Sequence, residues 1–151
     1  MPKPRDMQRA RLYKADDVLL PLAKKLPKVR DVEKYVERVL ARQSILRRYP
    51  LTNRDVKVKD GGGTRSALAY GSWAISIPLW ARNEAIVLHE LAHTIVYRHW
   101  SRSEAAAHGW QFASVYLVLT KAMMGAAAHD ALRASFKAHK VRYTAPRAKA
   151  A

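Results

Sequence analysis

The chain has 151 residues, enough for one domain with a moderate core, and 49% of them are apolar. Lys and Arg outnumber Asp and Glu by 28 to 12, a formal charge of +16 that favours polyanionic partners such as nucleic acid, ribonucleoprotein or anionic lipid. There is no cysteine, which removes disulfides, thiolate metal ligands and cysteine nucleophiles together.

The first residues, MPKPRDMQRARLYKADD, are basic and lack the apolar centre of a signal peptide. No apolar run approaches the roughly 20 residues of a membrane span. The expectation is a soluble, cytoplasmic protein. A helix is expected over 5–25, carrying Leu12, Val18, Leu19, Leu20 and Leu22 as core contacts, with Pro21 and Pro27 breaking the pattern. Asp31 is positioned to cap a second helix, 32–48, whose stripe is Val32, Tyr35, Val36, Val39, Leu40 and Leu46. Tyr49-Pro50 ends it.

The pattern then changes period. Val56 and Val58 alternate with Lys57 and Lys59, which predicts a strand. Asp60-Gly61-Gly62-Gly63 predicts a hairpin loop, since the Gly-Lys-Ser/Thr ending of a phosphate loop is missing. Further strands are expected over 66–70 and 73–79, and Pro78 assigns the latter to a strand end or a sheet edge. From Asn83, a predicted N-cap, the chain is helical to about Arg98. Ser101-Arg102-Ser103-Glu104 has the capping-box pattern and predicts a helix over 104–124. Gly125 breaks that helix, and a last one covers about 127–140. The layout is α+β: N-terminal helices, a small mixed or antiparallel sheet, then the helix from Asn83 and C-terminal helices, forming a single domain over 1–144; the motif within that helix, taken next, makes the expected domain zincin-like. Residues 145–151 are expected to be a disordered basic tail.

Residues 87–97 read VLHELAHTIVY. Helical positions four apart share a face, so His89 and His93 can present two imidazoles to one metal ion. Glu90 follows about 100° round the helix, where it can reach a metal-bound water without filling the coordination sphere. This is the arrangement of the His-Glu-x-x-His zinc hydrolases, in which the glutamate takes the proton of the water. Ile86, Val87, Leu88, Leu91, Ala92, Ile95 and Val96 bury the segment from several sides. In a plain core helix Glu90 would then be buried at a cost that a metal site removes.

A third ligand must come from elsewhere, and the downstream candidates are His99, Glu104, His108, His129, Asp130 and His139. His99 stands where the metzincin pattern has its third histidine, but that pattern turns on a glycine where this chain has Val96. On a continuing helix His99 faces away and favours the helix dipole. His108, in HGWQF, falls in the first turns of the next helix, which a helical hairpin returns to the first, with Gly109 allowing close approach. Glu104 lies one turn earlier, as an alternative ligand or a residue that orients a histidine. His108 is favoured because Glu104 already has a capping role. His129 and His139 read as surface histidines.

HELAH followed by HGWQF resembles the SprT-like zinc metallopeptidases, whose pattern is His-Glu-x-x-His and then His-Gly-x-x-Phe. That resemblance covers about residues 85–115, and it implies His89, His93 and His108 as ligands of one zinc ion and Glu90 as general base. SprT-like proteins often carry a C-terminal cysteine zinc ribbon, from which this chain departs. RDMQRARLYKADD, TRSALAYG, ISIPLWARNEAIVLHELAH and HGWQF are similar to a short family of metallohydrolases from actinobacteria and their phages. The longer resemblance implies a hydrolytic activity and no substrate.

The expected activity is a zinc metallopeptidase acting on a protein or peptide, with the strand ending at Ile77-Pro78 as an edge that pairs with an extended substrate. Tyr70, Tyr97, Tyr116, Arg82 and Tyr143 remain open as donors to the oxyanion. The alternative is a basic nucleic-acid or ribonucleoprotein binding module with a structural or vestigial zinc, gripping phosphates through Arg47, Arg48, Lys57, Lys59, Arg65, Lys137, Lys140 and Arg142. Glu90 separates the two, since a closed structural site needs a fourth protein ligand and has no use for a carboxylate beside the third.

Overall fold

A computed structural model describes residues 2–147. Of the expected basic tail, 145–147 are exposed and without regular structure, and 148–151 lie outside the described residues.

The first helix is shorter than its apolar pattern. α1 spans Arg9–Asp16 and tightens into a 3₁₀ turn, Asp17–Leu22, which contains Pro21. In an α-helix the Pro21 ring would meet the carbonyl of Asp17 and its missing N–H would leave that carbonyl unpaired. The expected second helix is two helices, α2 Val29–Leu40 and α3 Gln43–Arg48, separated by extended backbone at Arg42 (φ −67°, ψ 119°). A continuous helix would place Leu46 on the apolar stripe; the break buries Ile45 completely in its place. Asp31 is the third residue of α2, not its cap, and accepts the Lys28 N–H at 3.0 Å.

Three strands form one sheet: β1 Lys57–Asp60, β2 Leu68–Tyr70 and β3 Ala74–Ile77. Their order is β1-β3-β2, with β1 parallel and β2 antiparallel to β3. This corrects two expectations. β3 is the central strand, so the segment ending at Ile77-Pro78 is not an edge; Pro78 simply ends the ladder. The glycine run is not a hairpin loop either, because β1 and β2 lie on opposite sides of β3. Ile75 and Ile77 point inward, fully buried.

Asn83 caps α4, Glu84–His99, by accepting the Ile86 N–H at 3.0 Å. The first residue, Glu84, is buried and accepts from the Lys24 N–H (2.8 Å) and the Tyr35 hydroxyl (2.9 Å), which fixes the start of α4 against the chain before α2 and α2 itself. Every residue from Val87 to Val96 is buried, as the surrounding apolar residues predicted. α5, Trp110–Met124, packs along α4; α6, Ala126–Ala138, packs on α5 and returns to α1; the sheet closes the other side of α4. The fold is thus α+β, with α4 at its centre. No helix among the described residues is long and apolar enough to cross a membrane.

Gly61 marks the tightest approach in the β1–β3 layer. A Cβ there would fall 2.7 Å from the Pro78 nitrogen, against backbone that cannot move aside, whereas a Cβ on Gly63 would meet nothing within 4 Å. Gly61→Ala is expected to lower stability by about 1–3 kcal/mol in chemical denaturation. Gly63→Ala should stay within about 0.5 kcal/mol of the native chain.

Candidate metal centre

His89 and His93 project from one face of α4, as their spacing requires. His108 reaches them from the loop before α5. All three are buried, and one ring nitrogen from each lies within 4.8 Å of the other two, so the cluster can hold a metal ion. His108 is not in the first turns of α5, which begins at Trp110 and not at Glu104. The reason is Asp6: its carboxylate accepts both the backbone N–H of His108 (3.0 Å) and the Nδ1–H (2.8 Å). A His108 N–H pointing at Asp6 cannot donate to the carbonyl of Glu104, so the helix starts two residues later. The Ser101–Glu104 capping contact does form, with the Ser101 N–H donating to Glu104 Oε1 at 3.0 Å, but it closes an isolated turn. Glu104 is exposed and outside the cluster; its carbonyl accepts from Gln111 Nε2 at 3.1 Å.

The N-terminal segment supplies what the spacing argument missed. Asp16, at the end of α1, accepts from His89 Nδ1 at 2.9 Å, as Asp6 does from His108 Nδ1. An ionised carboxylate can only accept, so each Nδ1 carries a proton, and it is Nε2 that offers a lone pair when the ring is neutral. Nε2 of His108 is buried and has no hydrogen-bond partner among the described residues, an orphaned acceptor facing the other two rings. His93 is held well below its ordinary pKa, first by burial and then by His89 and His108. His108 is also lowered by burial, partly offset by Asp6. Both are neutral imidazoles at pH 7, so a metal displaces no proton from them. The donor set fits a borderline divalent ion.

Aromatic side chains complete the pocket. Phe112, fully buried, packs its ring on all three histidines, with centroids 4.4 Å from His93, 4.8 Å from His89 and 5.1 Å from His108. This is the role of the phenylalanine in HGWQF. Tyr13 stacks on the outer side of His89 (5.4 Å, 17°) and tilts over His108 at 5.1 Å, with 43% of its surface open to solvent. The spacing Arg9, Tyr13, Asp16 is one helical stripe next to the buried Leu12 and Ala15, which is the signal in the sequence that would have pointed to this wall.

Glu90 is 6% exposed and makes no hydrogen bond or ion pair to another side chain among the described residues. Burial raises its pKa, with His89 opposing and Asp16 adding to the shift. It lines a cleft of about 410 Å³ between the N-terminal helix (Arg9, Tyr13), the chain leading into β2 (Arg65, Leu68) and Trp80.

The other residues singled out by sequence lie elsewhere. His99 accepts the Leu51 N–H on Nε2 (3.0 Å) and donates from Nδ1 to the Ile95 carbonyl (2.7 Å), facing away from the cluster as expected. His129 contacts Asp130 at 2.9 Å and His139 bonds the Ser135 carbonyl, both on α6 or at its end. Of the open oxyanion donors, Arg82 pairs with Asp60 at 2.7 Å, Tyr70 lies on the sheet under Lys59, and Tyr143 packs on Phe136. Tyr97 borders a separate small cavity beside His93, and Tyr116 borders the cleft but donates its hydroxyl to the Ala85 carbonyl at 2.7 Å. No family model, curated protein or solved structure matches the chain.

Loss of an orienting carboxylate should weaken divalent-metal binding without unfolding the chain. Asp16→Asn and Asp6→Asn are each expected to lower affinity about 10–100-fold in competition with a chromophoric chelator. His108→Ala should lose more, and Glu104→Ala should leave affinity at the native level. Native affinity in His108→Ala would remove His108 from the site.

Proposed function

We propose that this chain is a zinc-dependent metallopeptidase of SprT-like, zincin-like character, with one zinc ion held by His89, His93 and His108. The observation that carries the reading is Glu90: a buried carboxylate, without a partner of its own, one residue along α4 from a ligand and open to a cleft. Three imidazoles from protein, with no fourth histidine, cysteine or carboxylate in the cluster among the described residues, leave a position for substrate and water and argue against a closed structural site. Zinc bound there supplies Lewis-acid polarisation of a carbonyl and of water.

The chain's own groups do the rest. Glu90 accepts the proton of the attacking water on a carboxylate oxygen and returns it to the departing amide nitrogen. Its burial raises its pKa and so makes the carboxylate a stronger base for that transfer. Asp16 and Asp6 hold the ligand rings in orientation, and Phe112 excludes water behind them. Tyr13 lines the cleft against His89, and it serves as donor to the developing oxyanion in place of Tyr70, Tyr97, Tyr116, Tyr143 and Arg82, among which the sequence left the choice open. An extended peptide finds its edge on β2, not β3: β2 pairs only with β3 among the described residues, and the residues leading into it line the cleft. An amide substrate suits this cleft better than a phosphodiester, because Asp16, Asp17 and Glu90 all border it.

Zinc-loaded protein is expected to cleave a casein-type substrate or itself. Glu90→Gln is nearly isosteric and should keep zinc and fold while losing about 10²–10⁴-fold in rate. Cleavage by Glu90→Gln at the native rate, with zinc content unchanged, would end the mechanism.

A further inference from the structure

On the face formed by α3, α5 and α6, a groove of about 620 Å³ is separate from the metal centre and takes no part in the reading above. Its volume falls within the range of about 300–1,000 Å³ usual for small-molecule sites. Each of the three helices turns one stripe into it. Ser44 and Arg48 lie four apart on α3, His129 and Arg133 four apart on α6, and Ser114, Leu117, Val118 and Lys121 share one face of α5. Arg48, Lys121 and Arg133 therefore converge on one space, and among the described residues none of them has a carboxylate within 4.0 Å.

With 28 Lys and Arg in the chain, some cations would line any groove by composition alone. Two other surface grooves, away from the metal centre, test that explanation, and they differ. The one against the start of α2 sets Lys25, Lys34 and Arg38 beside Asp31 and Glu37. The one against β1 sets Arg54 and Lys57 beside Glu33, Glu37 and Asp55. Of these three grooves, only the α3–α5–α6 groove is lined by cations with no carboxylate; Asp130 sits next to it, bonded to His129 Nδ1 at 2.9 Å and close enough to Arg133 and Lys121 for them to help hold its carboxyl below the usual range. The helix dipole favours Arg48 and Lys121 at the ends of their helices. It does nothing for Arg133, in the middle of α6. Asp130 is one neighbouring carboxylate against three cations, so positive charge stays in excess; like charges repel one another, and an anion between them relieves that repulsion.

We propose that this groove binds a nucleotide unit: its phosphate between Arg48, Lys121 and Arg133, and its base over the apolar floor of Leu117 and Val118, against Tyr143. Arginine forks and a lysine suit phosphate oxygens, the hydroxyls of Ser44 and Ser114 suit a phosphate or a sugar, and a flat base suits an apolar floor walled by a phenol. The unit can come from a free mononucleotide or from a single nucleic-acid strand, and the two share this chemistry. The inference does not rest on the metal centre, so metal-free full-length chain serves to test it.

Anisotropy of a short fluorescein-labelled thymidine oligomer at low salt, and calorimetry with AMP, measure the two sources. The variant pair Lys121→Glu with Arg133→Glu removes the site; both side chains are exposed, and an unchanged melting temperature confirms the fold. The pair Lys25→Glu with Lys34→Glu alters the net charge equally in a mixed-charge groove. The groove variant is expected to weaken binding by about tenfold or more and to lower the salt slope by about 1 per removed phosphate contact, while the matched control stays near the native curve. Binding of AMP that the groove variant loses identifies a free-nucleotide site; binding of the oligomer alone identifies a strand-binding site. Equal weakening in the two variants, or no binding of either ligand by the native chain, overturns the proposal.

Discussion

Two hydrogen bonds from the first sixteen residues govern the metal centre: Asp16 to His89 Nδ1 and Asp6 to His108 Nδ1. A histidine ring has two nitrogens and a free rotation, and these carboxylates remove both ambiguities by fixing which nitrogen carries the proton and which way the other points. The contacts span 73 and 102 positions of chain, so ordering the site means folding the N-terminal segment against the central helix. A charge-assisted hydrogen bond contributes about 1.5–3 kcal/mol, enough to hold a segment that has little core of its own. Asp6 does a second thing. By taking the His108 N–H it stops α5 from starting upstream, and so sets the position of the third ligand and of Phe112 one turn later.

Glu90 is the contrasting case. It lies on the same helix, as buried as the three histidines, and no side chain among the described residues hydrogen-bonds to it. A carboxylate left in that condition is costly unless something else completes its surroundings. The protein as a whole is strongly basic, yet four of its 12 acidic residues, Asp6, Asp16, Asp17 and Glu90, lie at this one centre or line its cleft. The local field there opposes the global charge. That is the condition under which a chain of +16 can hold a divalent cation in a buried cage.

What was legible in the sequence was local. His89, Glu90 and His93 could be placed because four residues of helix fix their relative directions, and the Asn83 cap could be placed because it acts within three residues. The α+β class followed from the change of period near Val56. The orienting carboxylates carry no such signal: Asp6 and Asp16 look like any exposed acid in a basic segment until α1 is docked. The same limit misplaced the sheet edge. A parallel β1–β3 pair is made by residues separated by a glycine loop and another strand, and neither Pro78 nor the glycine run reports it. Arg82 looked available beside the site helix, but Asp60 and the Pro27 carbonyl engage it. Helix length was overestimated wherever one side chain had a stronger distant partner or a proline intervened.

The Glu90 cleft and the α3–α5–α6 groove also differ in their electrostatics. The cleft at Glu90 mixes Arg9 and Arg65 with Asp16, Asp17 and Glu90 beside His89, so a bound chain meets charges of both signs close together. A neutral amide backbone paired along β2 tolerates that mixture, because its recognition runs through N–H and C=O groups rather than through net charge. A phosphate backbone does not: each phosphate entering would face carboxylates that are themselves engaged in orienting ligands. The groove between α3, α5 and α6 has the opposite character, with cations of one sign and an apolar floor. In the proposed reading a polyanion is drawn to that groove rather than to the Glu90 cleft, so a protein substrate associated with it could reach the β2 edge without the polyanion entering the cleft.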